Sequence, residues 1–159
     1  MRRKDREVTD FARIAEILDT AKILHLGIND DGCPYIVPLH YGWELSDGKP
    51  ILWMHCAKEG HKLDLIRRDG RVCVQTDCGM QLISGGDLAC RYGAVYASVI
   101  GRGTAAIAED PSEKAHGLAV LMRHQTGRDF AITPEMASAV CVIKVTLSEW
   151  SAKERRADG

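Results

Sequence analysis

Three apolar runs separated by two tight turns constrain this chain more than any other feature. "KILHLGIN" alternates Leu24, Leu26 and Ile28 against Ile23, His25 and Gly27, the period-two pattern of a strand with one buried face. "NDDGCP" carries turn chemistry, and "YIVPLHYGWEL" then places Tyr35, Val37, Leu39, Tyr41 and Trp43 on one face until "SDGKP" turns the chain again. "ILWMHC" is the third run. Strand, turn, strand, turn, strand is an antiparallel meander. Pro34 and Pro38 have no N–H to give a ladder, so the second strand is expected at an edge or with a bulge where one of them sits.

The remaining segments extend this pattern. "DFARIAEILDTA" sets Phe11, Ile14, Ala15 and Leu18 at helical spacing behind Thr9 or Asp10 as cap, an amphipathic helix suited to cover one end of a sheet or barrel. A short helix is expected from near Glu59, with Leu63 and Ile66 inward, and "RVCVQTD" reads as a fourth strand. "CGMQLISGGDLACRYG" has no period and two adjacent glycines, so it reads as a long loop and a place to look for function. "YGAVYASVIGRGTAAIAED" is a long strand, with Gly101 and Gly103 suggesting a bend. Asp110, Pro111 and Glu113 open a capped helix with Ala115, Leu118, Ala119 and Met122 inward. Thr133 and Pro134 repeat the signal for a shorter helix, "AVCVIKVTLSEW" is a final strand, and the polar tail 151–159 is expected to fray. The fold class is mainly β: one domain spanning 1–159, with six or so mostly antiparallel strands in a barrel and three or four peripheral helices.

Composition narrows the partners. A formal net charge of -1 gives no global attraction for nucleic acid or an anionic membrane. "MRRKDREV" lacks an apolar h-region, and no stretch approaches 18 apolar residues, so a soluble cytoplasmic protein is expected. The six cysteines form no CxxC pair, and reduced thiols are expected. Cys73, Cys78 and Cys90 are either three metal ligands, at a spacing that matches no common zinc signature, or small hydrophobes and loop thiols; no metal is assigned.

Local charge is another matter. "HCAKEGHK" puts His55, Lys58, His61 and Lys62 where a strand hands over to a helix. A helix start exposes backbone N–H groups and the positive end of its dipole, Gly60 permits close approach, and lysines add point charges. Glu59 would have to point away. The spacing fits a phosphate site and equally a solvated helix start.

"PYIVPLHYG", "HCAKEGHKLDLI", "RVCVQTDCG", "YASVIGRG" and "LMRHQTG", in this order, resemble the pyridoxamine 5′-phosphate oxidase-related, FMN-binding split-barrel superfamily, nearest to its branch of Nim-type nitroimidazole-resistance proteins. The resemblance runs from the first helix to Trp150. It implies FMN, with the isoalloxazine ring along Val37, Pro38, Leu39, His40 and Tyr41, and the phosphate held by His55, Cys56, Ala57, Lys58, His61 and Lys62. Relatives often carry a hydroxyl residue where this chain has Cys56, and a lysine or arginine where it has His61, so that FMN affinity is expected to fall as pH rises. The resemblance further implies a homodimer with the cofactor between two barrels, a partner contribution around Ser98, Val99 and Ile100, and a C-terminal pattern of Trp150, Lys153 and Arg155 over the cofactor.

The implied activity is that of a small oxidoreductase passing electrons from reduced flavin to a small-molecule acceptor, a nitroaromatic being one possibility. Oxidation of pyridoxamine phosphate itself is disfavoured because the basic residues that clasp that substrate are not evident. No GxGxxG fingerprint identifies an electron donor. His40 and His55 are the catalytic candidates: either positions a substrate, gives a proton to a reduced nitro group, ligates haem iron, or simply hydrogen-bonds beside the flavin. His25 reads as a core or edge residue, and His116 and His124 belong to an outer helix or its end. Cys56 is expected beside the cofactor rather than as a nucleophile. Two alternatives remain: a flavin or haem carrier or sensor without turnover, and a structural barrel with an empty cleft.

Overall fold

A computed structural model describes residues 3–156. Seven strands run β1 (Glu7–Val8), β2 (Ile23–Asp30), β3 (Cys33–Ser46), β4 (Lys49–Cys56), β5 (Arg71–Ile83), β6 (Gly93–Ile107) and β7 (Cys141–Arg155). Four helices, α1 (Phe11–Thr20), α2 (His61–Arg68), α3 (Pro111–Thr126) and α4 (Pro134–Ala137), lie between them. The sheet order is β1-β7-β4-β3-β2-β5-β6, and β6 pairs back onto β7, so β2 to β7 close a six-stranded barrel with every pairing antiparallel. Closure removes most strand edges. The two-residue β1 caps one end of β7.

The alternation in the first two runs sets the barrel's inside. Leu24, Leu26 and Ile28 of β2 and Tyr41 of β3 are each 2% exposed or less, and meet Leu52, Met54, Val145 and Leu147 across the interior. Asp10 caps α1, accepting from Ala12 N at 3.0 Å, and Ile14, Ile17 and Leu18 close one end of the barrel against Ala97, Val99 and Ala152. On the outside, α3 covers Ile51 and Trp53 of β4. That is why five consecutive β4 residues, Pro50 to Met54, are buried where a one-sided strand would alternate.

β3 changes partner midway. Residues 33–40 pair with β2 alone, and 41–46 pair with β4 alone. Pro34 and Pro38 both fall in the half with no β4 neighbour, and the β2 ladder continues unbroken through them, so their missing N–H groups are ones that would point away from β2. The edge placement expected from the prolines is met without a bulge.

α3 approaches the barrel closely enough to need glycine twice. A Cβ at Gly42 would overlap the Leu121 backbone, and one at Gly117 would overlap the Trp53 ring. Its most buried residues are therefore Ala115, Gly117 and Leu121, whereas Leu118, Ala119 and Met122, expected to face the core with Ala115, are half-buried. Asp110 accepts from Glu113 N at 2.8 Å, but the Glu113 carboxylate bonds Lys144 at 2.7 Å instead of completing a capping box.

Two segments differ from expectation. Residues 78–83 continue β5 as a hairpin with β6, slipping register between Cys78 and Gln81, so the irregular part begins only at Ser84. Met80 is 77% and Leu82 75% exposed. With neither face buried there is no hydrophobic period to read, and the backbone ladder alone makes the strand. Residues 151–155, expected to fray, lie in β7, with Ala152 opposite Val99 and Lys153 between Ser98 and Glu7. Their ladder partners lie far away in sequence, which a local reading of polar composition misses. Residues 157–159 of the expected flexible tail lie outside the described residues. Among the described residues no helix is long and apolar enough to cross a membrane.

Candidate functional site

The barrel opens where β3 and β4 part. Tyr41–Met54 is their last pair, and the next register positions are His40 and His55. Beyond them β3 has a free edge from 33 to 40. With the β2 ladder intact, the backbone groups of residues 34, 36, 38 and 40 point to that edge. Four carbonyls and only two N–H groups, those of Ile36 and His40, are offered there, because proline occupies the other two positions. The expected ring-binding strand thus splits by face: Val37 and Leu39 are half-buried against the core, Tyr41 is buried with its O–H donating to Leu18 O at 2.7 Å, and Pro38 and His40 project outward.

The histidines at the fork stand differently. His40 Nδ1 lies 3.1 Å from Gln125 Oε1 near the end of α3. His55 is exposed at the margin of an apolar cavity of about 340 Å³, with Leu118, Met122, Phe130, Ile132 and Met136 among its walls. This volume lies within the range of small-molecule sites, and an imidazole is the polar group placed beside apolar walls.

The end of β4 leads into the charged stretch. Cys56 turns inward, opposite Cys141, and burial pushes its thiol pKa up, with Lys62 opposing the shift. Ala57, Lys58 and Glu59 are exposed. α2 begins at His61, two residues later than expected, because Gly60 adopts φ 142° as its N-cap. No side chain caps this end, and the Leu63 and Asp64 N–H groups turn back to Gly60 O. The N–H groups of His61 and Lys62 have no protein acceptor among the described residues. The His61 side chain is engaged: Nε2 lies 2.7 Å from Asp30 Oδ2, and the Tyr35 ring packs edge-on at 5.1 Å. The hydrogen bond to His61, with Arg68 nearby, holds the Asp30 carboxyl below its usual range. Lys58 and Lys62 have no carboxylate within ion-pair distance among the described residues and remain available to an anion.

Of the segment expected to come from a partner, Val99 is buried inside the barrel while Ser98 and Ile100 face out, Ile100 being 49% exposed. Ile36 and Ile23 are also exposed on this outer face, which carries an open groove of about 700 Å³ along His25, Gly27, Pro34, Cys73 and Gln75. Trp150 packs edge-on against Phe11, rings 6.5 Å apart, within the packing beneath α1. His116 hydrogen-bonds Glu44 at 2.8 Å, and His124 bonds Ala21 O at 2.8 Å, as suits outer-helix residues. Cys73 and Cys78 lie five residues apart on β5 and so on opposite faces; among the described residues no three metal-ligating side chains come together. Gln125 was not among the expected site residues, although it lies in the "LMRHQTG" stretch that carries the resemblance.

Comparison with known proteins identifies the fold and the family. The family model for pyridoxamine 5′-phosphate oxidase matches residues 10–154. A candidate 5-nitroimidazole antibiotic resistance protein from Bacteroides thetaiotaomicron is 31% identical, with a TM-score of 0.78 over 93% of this chain and 86% of that one. Flavocytochrome Anf3 from Azotobacter vinelandii (19% identity, TM-score 0.77, 99% and 72% of the two chains) shares the fold. So does an FAD and heme binding protein from Mycobacterium smegmatis (19%, 0.76, 96% and 77%). No curated protein matches the sequence significantly.

Proposed function

The chain belongs to the pyridoxamine 5′-phosphate oxidase family, and from that premise we propose that it binds FMN between two copies of itself and serves as a small flavin-dependent oxidoreductase. The observation that carries this reading is the uncapped start of α2, with Lys58 and Lys62 free of carboxylates, at the end of the strand that parts from the open edge of β3. The residues present fit the group. The phosphate would sit against the His61 and Lys62 N–H groups and the two ammonium groups. The polar rim of a flat ring would find carbonyls and the Ile36 and His40 N–H groups along β3. Cys56, turned inward, adds little to the phosphate, and His61 contributes its backbone while its side chain stays with Asp30.

Bound flavin supplies electron transfer; the protein's part is to hold it, shield it from water and deliver protons. Of the two histidines at the fork, His55, beside the apolar cavity, is the one placed to do the last, while His40 stands beside the ring. The cavity beside His55 suits a small, flat, largely apolar acceptor such as a nitroaromatic. Exposed Ile23, Ile36 and Ile100 on the outer face support a partner barrel there. The soluble, cytoplasmic character expected from the sequence belongs to the same proposal.

The visible spectrum of the purified protein, before and after denaturation and after adding FMN, tests the reading. Flavin bands releasing one FMN per chain, on a dimer by sedimentation, support it, and reoxidation of the photoreduced protein by a nitroaromatic then tests turnover. A Soret band would turn the reading to haem held by His40 or His55. No chromophore and no uptake of FMN would overturn it.

A further inference from the structure

Gln125 bridges the end of the β2–β3 ladder. Ile23–His40 is the last pair of that ladder, and the next register position is Lys22 and Tyr41. Gln125 Nε2 lies 2.9 Å from Lys22 O and 2.7 Å from Tyr41 O. Carbonyl oxygens only accept, so both amide hydrogens are committed and the orientation of the Gln125 side chain is fixed by its partners. Its Oε1 then faces His40 Nδ1 at 3.1 Å, and an amide oxygen also only accepts. When His40 is neutral, its proton must therefore be on Nδ1. The far nitrogen, Nε2, is left bare at the exposed outer face, with no protein partner among the described residues.

We propose that Gln125 is a positioning residue that locks neutral His40 as the Nδ1–H tautomer, so that the bare Nε2 is a hydrogen-bond acceptor for the N–H on the pyrimidine edge of the bound flavin. This rests on the flavin reading above. That edge carries one N–H between two carbonyls, and the bare nitrogen selects the donor. The close approach of α3 at Gly42 holds Gln125 to this register, since Leu121 and Gln125 stand one turn apart on the helix.

The test is nitrogen NMR of protein labelled with 15N-histidine, at a pH where the imidazole is neutral, with and without FMN. Expected is a protonated Nδ1 and an unprotonated Nε2 for His40 in the flavin-free protein, and displacement of the Nε2 resonance once FMN is bound. Gln125→Glu keeps an acceptor opposite Nδ1 but loses both donors, whereas Gln125→Leu loses all three contacts. The Nδ1–H form should persist in Gln125→Glu and give way to a mixture in Gln125→Leu; a merely structural role would not separate the two. If either variant fails to fold, the wild-type tautomer decides. A protonated Nε2 in the wild type would overturn the proposal, as would bound FMN, seen by quenched fluorescence, that leaves Nε2 unmoved. Absence of FMN uptake would end the flavin reading and the acceptor role with it, while the tautomer of the flavin-free protein is read independently.

Discussion

Cys56 lies directly opposite Cys141 in the β4–β7 ladder, Cys141 buried in the barrel interior and Cys56 half-buried against it. Burial raises the Cys56 pKa, and Cys141 beside it pushes the same way. A thiol reacts as thiolate, so position rather than residue type decides reactivity here. Titration of the native protein with an aromatic disulfide near pH 7 should label the exposed Cys33 and Cys90 first, the half-buried Cys56 far more slowly, and Cys141 only on unfolding. Rapid labelling of Cys56 in the folded protein would contradict this placement.

The phosphate assignment separates two flavins. Lys58→Ala and Lys62→Ala should each weaken FMN binding by about 1.5 to 3 kcal/mol, roughly 10- to 100-fold in Kd, because each removes a charge-assisted bond. Riboflavin has the same ring and no phosphate, so its affinity should hardly change. Fluorescence titrations with both ligands give the comparison, and equal losses for the two would place the lysines away from the phosphate.

Gly42→Ala tests how closely α3 sits. A methyl group there meets the Leu121 backbone, and overpacking of this kind costs about 1 to 3 kcal/mol. The urea midpoint should fall with an unchanged slope. FMN affinity should fall too, because displacing Leu121 displaces Gln125. A variant as stable as the parent would show that the helix yields freely.

His124 sets an acid limit. Its ring packs at a tilt against Tyr41, 4.7 Å between centroids, and burial lowers its pKa from the ordinary 6.5. A depressed value means that the unfolded chain takes up the proton first. The contribution to stability is therefore complete above pH 6.5 and is lost as pH falls from there toward the folded value. Denaturant midpoints between pH 7.5 and 5.5 should decline for the parent and decline less for His124→Gln. Parallel declines would assign the acid sensitivity elsewhere.

How much of this was legible in the sequence follows from where each signal lives. The meander was readable because Leu24, Leu26, Ile28 and their β3 counterparts face a core on one side and solvent on the other, which period two records directly. The start of α3 was readable because its cap is local to Asp110 and Glu113. What failed was either not periodic or not local. Residues 78–83 pair within their own hairpin but bury neither face, so no period marks them; 151–155 are a strand by virtue of distant ladder partners, and Gly117 replaces an apolar inward residue because Trp53 occupies that space. At the site, the positions of Lys58 and Lys62 follow from sequence, but the pairing of His61 with Asp30 joins residues 31 apart and has no periodic signature. Gln125 acts across 85 residues on His40, a contact invisible for the same reason.

The prolines on the free half of β3 have a consequence for the company this molecule can keep. An open strand edge is normally a template on which another polypeptide can add itself, giving misassembly or fibres. Such addition needs donors and acceptors in regular succession. With Pro34 and Pro38 silent, the edge has carbonyls at every turn of the pleat but lacks the matching donors at alternate positions. A flat heterocycle with one or two polar atoms needs only a short section of that edge, whereas an incoming strand needs all of it. The same two residues that leave the barrel wall open to a small guest keep it closed to a stray chain.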